Sequence, residues 1–136
     1  MRLLTLARNL RRRKARDRNG LFVVEGVRAA EELAKSSLRI VGALASPQLE
    51  SNPRGVALRT TLASRSVEIL DVSASEFESA AETETPQGVL VIAATPSHSL
   101  EQLAGSSSTR ILVLDGVQDP GNVGTMVRTA AGLGAT

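Results

Sequence analysis

The chain has 136 residues, 42% hydrophobic and 22% charged, enough for one ordinary domain, or a small domain and part of another, around a buried core. Without cysteine, tyrosine or tryptophan and with only two phenylalanines, it excludes disulfides, thiolate zinc and a cysteine nucleophile, and it argues against RNA binding by base stacking on exposed rings. The net charge of +2 hides an asymmetry, because Arg2, Arg8, Arg11, Arg12, Arg13, Lys14, Arg16 and Arg18 supply eight of the 16 basic residues and only Asp17 opposes them.

Residues 3–10 put Leu3, Leu6, Ala7 and Leu10 at helical spacing. The arginines fill the remaining arc and the C-terminal end, where cations suit the helix dipole, and Asn19-Gly20 is a stop signal. LFVVEG (21–26) reads as a short buried strand closed by Gly26. VRAAEELAKS (27–36) is helical, with Val27, Ala30, Leu33 and Ala34 on one face, and RIVGALAS (39–46) is a second strand ended by Pro47. A loop holding Asn52, Pro53 and Gly55 precedes a weaker helix over about 56–64. VEILDV (67–72) is a third strand. SASEFESAAE (73–82) opens with Ser73 and Glu76 at capping-box spacing, and GVLVIAA (88–94) is a fourth strand.

Alternating strands and helices predict an α/β domain over residues 1–94, with a mostly parallel sheet covered by helices. The Pro- and Ser-rich residues 95–109, which include the single His98, read as a linker. RILVLDGV (110–117) then restarts the pattern as a strand, followed by a turn and a helix. About 27 residues cannot bury a core of their own, so the unit at 110–136 reads as the cut beginning of a second domain. No apolar run reaches the roughly 18 residues of a membrane span, and the N-terminus lacks a secretory h-region. A cytoplasmic location is the expectation.

Asp119-Pro120-Gly121-Asn122 forms a sharp turn after the last strand, with Asn122 as the expected helix N-cap. Ligands in open α/β sheets sit beyond the carboxyl ends of strands. On the following helix Val123, Met126, Val127, Ala130, Ala131 and Leu133 fill one arc; Gly124, Thr125, Arg128, Thr129 and Gly132 fill the other. Arg128 lies one turn from a glycine on each side. Its guanidinium therefore has little steric cover, and a sugar–phosphate chain or a partner subunit can approach that face. The competing reading is tight packing beside a solvated arginine. Two helical glycines cost roughly 2 kcal/mol against alanine, which asks for compensation without naming it. Neither phosphate-loop fingerprint, GxxxxGKS/T or GxGxxG, is present.

LDGVQDPGNVGTMVRTAAGLGA closely resembles the first signature of the SpoU/TrmH family of RNA ribose 2′-O-methyltransferases, through Asp119, Pro120, Asn122, Gly124, Arg128, Thr129, Ala130 and Gly134. The basic helix, FVVEG (22–26) and TPQGVLVIA (85–93) resemble the substrate-binding domain that precedes the methyltransferase domain in many of these enzymes. The resemblance implies a small N-terminal α/β substrate-binding domain followed by the first strand and helix of a knotted α/β methyltransferase domain. It also implies S-adenosylmethionine as methyl donor, RNA as substrate (rRNA before tRNA) and a homodimer. The family's later signatures, which hold the donor, are not in this sequence, so the 136 residues alone are expected to be inactive.

By the same resemblance Arg128 and Asn122 are catalytic. Arginine is a poor literal base, with a pKa of about 12.5–13.8; a clamp on a neighbouring phosphate and on negative charge developing at the 2′-oxygen suits it better. Asn122, whose amide is no base, shapes the turn together with Asp119, Pro120 and Gly124. Arg8, Arg11, Arg12, Arg13, Lys14 and Arg16 are the expected RNA-binding residues. No metal is expected, Asp115 and Asp119 notwithstanding. Glu25, at a strand end, reads either as a functional carboxylate or as one accepting N–H groups from the next helix. Two rival readings are a non-catalytic RNA-binding protein, whose α/β domain resembles small ribosomal RNA-binding proteins, and an interaction module pairing through Gly124 and Gly132.

Overall fold

The computed structural model describes residues 3–97, 99, 101 and 110–135. Arg2, His98 and most of the expected linker lie outside them. The chain divides into two compact units, Met1–Pro96 and Ser97–Thr136.

In the first unit the elements run α1 (Leu3–Leu10), α2 (Arg13–Asn19), β1 (Leu21–Glu25), α3 (Val27–Lys35) and β2 (Ile40–Ala45). A 3-10 turn (Pro47–Ser51), α4 (Pro53–Ser64), β3 (Ile69–Asp71), α5 (Ala74–Glu78) and β4 (Val89–Ala94) complete it. The sheet order is β1-β4-β2-β3. β4 runs antiparallel to both β1 and β2, and only β2 and β3 are parallel. The α/β class is as expected; the mostly parallel sheet is not. The cause is the length of α5. Five residues of helix advance about 7.5 Å, whereas a six-residue strand spans about 20 Å. The chain leaving β3 is not carried back across the sheet, and it enters β4 at the end where β2 and β3 finish, with Ala45 opposite both Asp71 and Val89.

β4 is central and buried on both faces, which explains its unbroken apolar run. Val89, Val91 and Ala93 face the α3–α4 side with Val27, Ala30, Leu33, Leu58 and Leu62. Leu90 and Ile92 face the opposite side with Leu3, Ala7, Leu10, Phe77 and Ala80. The 3-10 turn is pinned at one residue. A Cβ on Gly55 would lie 1.8 Å from the Leu49 carbonyl oxygen, and one on Gly88 would lie 2.4 Å from the Leu49 nitrogen.

Local signals hold with three adjustments, the first being that α4 begins at Pro53 behind an Asn52 cap, so Pro53 and Gly55, expected in a loop, are helical. Gly20 closes α2 in the left-handed conformation at φ 59°, and the Ser73–Glu76 capping box is complete. The basic helix, however, is broken at residues 11–12, where Arg12 is extended. Arg16 Nη1 donates to the carbonyls of Leu10 and Arg11, each at 2.9 Å, and so satisfies the end of α1. Glu25 does accept N–H groups, but from Glu82 and Thr83 in the loop before β4 rather than from α3.

Surface ion pairs tie the helices down. Arg59 donates to both oxygens of Asp71 at 2.6 and 2.8 Å, and Arg54 donates to both oxygens of Glu31. These hydrogen bonds hold both carboxyls below their usual range. The Ser73 N–H and hydroxyl do the same for Glu76. A carboxyl whose pKa folding lowers binds fewer protons folded than unfolded. Its stabilisation is therefore complete above the ordinary range of about 4 and is lost as pH falls through the lowered value. Thermal unfolding followed by circular dichroism should show a flat midpoint above pH 5 and a decline below about pH 4. Exposure keeps that decline modest, and Asp71→Asn should shrink it.

In the second unit residues 110–115 form no strand among the described residues, against expectation, because a strand exists only through pairing. The helix α6 spans Pro120–Gly132. Arg110 Nη1 donates to the Leu133 carbonyl at 2.6 Å, which brings the start of the segment back to the helix C-terminus. Ile111, Leu112, Val113, Leu114, Met126, Val127 and Leu133 are exposed, and α6 has no buried residue.

Candidate nucleic-acid interface

The candidate residues divide between the two units. In the second, Asp119 rather than Asn122 is the N-cap: its carboxylate accepts the Asn122 N–H at 2.7 Å, and the helix begins at Pro120. Proline at the first helical position has its φ preset and no N–H to satisfy, which moves the start forward from the asparagine. The Asn122 side chain is thereby left out of the cap.

Arg128 does not stand clear of Gly124, as the sequence reading has it, but folds back over it. A Cβ on Gly124 would meet Arg128 Nη1 at 3.0 Å and its Cζ at 3.7 Å. Long helical side chains point toward the N-terminus, and the missing Cβ makes a slot for the guanidinium. Arg128 Nη2 donates to the Thr125 hydroxyl at 3.3 Å, and that hydroxyl donates to the Gly121 carbonyl at 2.9 Å. The guanidinium is thus aimed along the helix toward the Asp119–Asn122 turn. Its remaining N–H groups are available to an anion. Gly132, by contrast, has nothing within 4 Å of its Cβ position.

In the first unit the basic residues are not equivalent. Arg8 donates to the Ser79 hydroxyl at 2.8 Å and Arg11 to the Ser79 carbonyl at 3.3 Å, which ties α1 to the residues after α5. Arg16 caps α1, and Arg13 lies 3.7 Å from Asp17. Arg12 and Lys14 are exposed and make no side-chain hydrogen bond or ion pair among the described residues. Arg8, Arg11 and Arg12 share an open cleft with Ser79 and Glu82. The structure groups Arg8, Arg11 and Arg12 on one surface and gives Arg16 a folding role that its sequence position did not reveal.

Residues 5–91 match the model of the MRM3-like substrate-binding domain. The chain belongs to that family. The chain is 32% identical over 130 residues to the 23S rRNA (guanosine(2553)-2′-O)-methyltransferase RlmP of Bacillus subtilis, covering 94% of this chain and 47% of that protein. A crystal structure of an RNA 2′-O ribose methyltransferase superimposes with a TM-score of 0.72 at 28% identity, over 97% of this chain and 49% of that one. The AdoMet-bound rRNA methyltransferase from Sinorhizobium meliloti superimposes with a TM-score of 0.68 at 27% identity, over 98% and 49% respectively. The resemblance to SpoU/TrmH enzymes is borne out. This member of the MRM3-like family spans about half the length of these relatives.

α6 has no buried residue, whereas a cofactor of S-adenosylmethionine's size is held by burying most of its surface. The described residues of its unit do not by themselves fit that group. Among the described residues no three His, Cys, Asp or Glu side chains are grouped for a metal, and no helix is long and apolar enough to cross a membrane.

Proposed function

We propose that these residues are the RNA-binding part and the first catalytic signature of an S-adenosylmethionine-dependent ribose 2′-O-methyltransferase acting on rRNA rather than tRNA. The observation that carries this reading is the combination, in one chain, of the MRM3-like substrate-binding domain and an arginine held over a helical glycine toward a Pro-Gly-Asn turn. S-adenosylmethionine supplies the methyl group; the relatives' further length is where its pocket is expected.

The role of this chain is on the RNA side. Domain boundaries at 1–94, 95–109 and 110–136 divide the labour. The basic α1–α2 surface draws in phosphates, and the Asp119–Asn122 turn positions the ribose. Arg128 clamps a neighbouring phosphate with its fork and stabilises negative charge developing on the 2′-oxygen, a contribution that comes from positioning and electrostatics rather than proton abstraction. The protein is a cytoplasmic homodimer in this reading, and the exposed Met126 and Val127 of α6 suit a covered position. The test is transfer of labelled methyl groups to deproteinised rRNA, with alkaline-resistance mapping of the modified ribose. Labelling of a base, or of tRNA alone, would overturn the assignment.

Electrostatic attraction gives a second expected result. The slope of log affinity against log salt falls by about 0.7–0.9 for each phosphate contact removed. Arg12→Ala, Arg13→Ala and Lys14→Ala together leave the α1 cap intact, and should flatten the slope by about 2, read by filter binding over a salt series. An unchanged slope would remove α2 from the interface.

A further inference from the structure

We infer that the carboxyl end of the sheet carries a second RNA contact, which reads an unpaired nucleotide through hydrogen bonds to its base and phosphate. This rests on the RNA-binding reading above and gives it a site that the basic helices do not include. Two clefts lie side by side where β1 and β2 end. One, of about 280 Å³, is lined by Arg28, Gln48, Asn52, Arg54 and Gln87 among others. The other, of about 310 Å³, is lined by Glu25, Arg28, Thr83, Thr85 and Gln87 among others. Arg28 and Gln87 belong to both, so the two form one trough with these side chains at its middle.

What the trough offers follows from which atoms are already engaged. Arg54 is neutralised by Glu31, and Glu25 is occupied by the N–H groups of Glu82 and Thr83 and by the Thr83 hydroxyl. Gln87 Oε1 accepts the Val27 N–H at 2.9 Å, and Asn52 Oδ1 accepts the Gly55 N–H at 2.9 Å. Each amide oxygen is held by one N–H, and both NH₂ groups are left as donors. Arg28 is exposed and makes no side-chain hydrogen bond or ion pair among the described residues. One guanidinium that makes no hydrogen bond, with Glu31 within Coulombic reach, therefore sits among amide donors, with no aromatic ring lining either cleft.

That set matches a phosphate together with an acceptor-rich base edge, and it does not match a stacked base. Each cleft is at or below the small end of ligand pockets, and the trough is open on both sides of Arg28, as a continuing strand requires. Phosphate contacts position a protein on nucleic acid and base contacts specify the sequence. The α1–α2 surface supplies the first kind and this trough the second.

The experiment measures binding of the full chain to a randomised single-stranded RNA pool, by selection and sequencing, and then the affinity for the enriched sequence. Arg28→Gln should weaken that affinity about tenfold, the loss of one charge-assisted contact, and lower the salt slope by about 0.7. Gln87→Glu keeps the oxygen that accepts the Val27 N–H but exchanges the NH₂ donor for an acceptor. It should abolish the sequence preference without lowering the unfolding temperature. If both variants keep wild-type affinity and preference, the trough is not an RNA contact, and the broader reading survives on α1–α2. If the wild-type chain binds no RNA in the pool, the RNA-binding reading falls and this site falls with it.

Discussion

Gly88→Ala is expected to lower the stability of the first unit by about 3 kcal/mol or more. Gly88 sits at φ +78°, a conformation that costs an L-residue roughly 1–2 kcal/mol. Its added Cβ would also meet the Leu49 nitrogen at 2.4 Å, the Ser46 Oγ at 2.9 Å and the Gln48 carbonyl carbon at 3.0 Å. Two of these are backbone atoms, with no flexible side chain to yield. Leu49 is itself 1% exposed and packed in the α3–α4 side of the core, so the 3-10 turn can move aside only by opening that core. Gly20→Ala is the control. Gly20 also has a positive φ, at 59°, but nothing lies within 4 Å of its Cβ position, so its cost is backbone strain alone. Urea unfolding of the two variants separates strain from collision. If Gly88→Ala is no less stable than Gly20→Ala, the pinning of Leu49 is wrong.

On the function proposed above, Arg128→Lys is expected to cut methyl transfer to RNA by about 100-fold in the full-length enzyme while leaving RNA affinity nearly unchanged. The magnitude is that of removing one preorganised donor from a developing oxyanion. Lysine keeps the charge but lacks the planar fork, and its ammonium cannot both rest on the Thr125 hydroxyl and present two parallel donors. Gly124→Ala separates function from packing further. Alanine should stabilise the helix by about 0.8–1.0 kcal/mol, yet its methyl would press on the guanidinium at 3.0 Å. The expected outcome is a more stable helix with slower turnover. A variant that gains stability and keeps full turnover would mean that the slot over Gly124 is incidental, and near-wild-type turnover of Arg128→Lys would sink the bidentate clamp.

The four strands and most helices were legible because each announces itself locally, through a period, a cap or a breaker. The capping box at Ser73 and the stop at Gly20 are cases where two residues suffice. Strand direction was not legible, because alternation of element types says nothing about whether a connector is long enough to recross the sheet. The shortness of α5 decided it. The break between α1 and α2 was hidden because Arg16, read as one of the RNA-binding basic residues, is a cap for carbonyls six and five residues earlier. At the candidate site the signature residues stood out in sequence, but the helix start did not, because proline preference outweighed the asparagine. Arg28, Asn52 and Gln87 carry no periodicity and lie far apart in the chain; only the fold brings them to one trough.

The place of β4 sets the order in which this protein is able to take shape as it is made. Leu21 pairs with Ala94 and Ala45 with Val89, so β1 and β2 do not touch each other and both wait for the strand between them. A nascent chain that has emerged only as far as residue 88 has its helices, the β2–β3 pair and β1, but not the strand that joins β1 to that pair. Folding of the substrate-binding unit is therefore deferred until its last strand clears the ribosome, and the contacts then formed are long-range ones that close slowly. Until that moment the edges of β1 and β2 that β4 will cover are open to other chains.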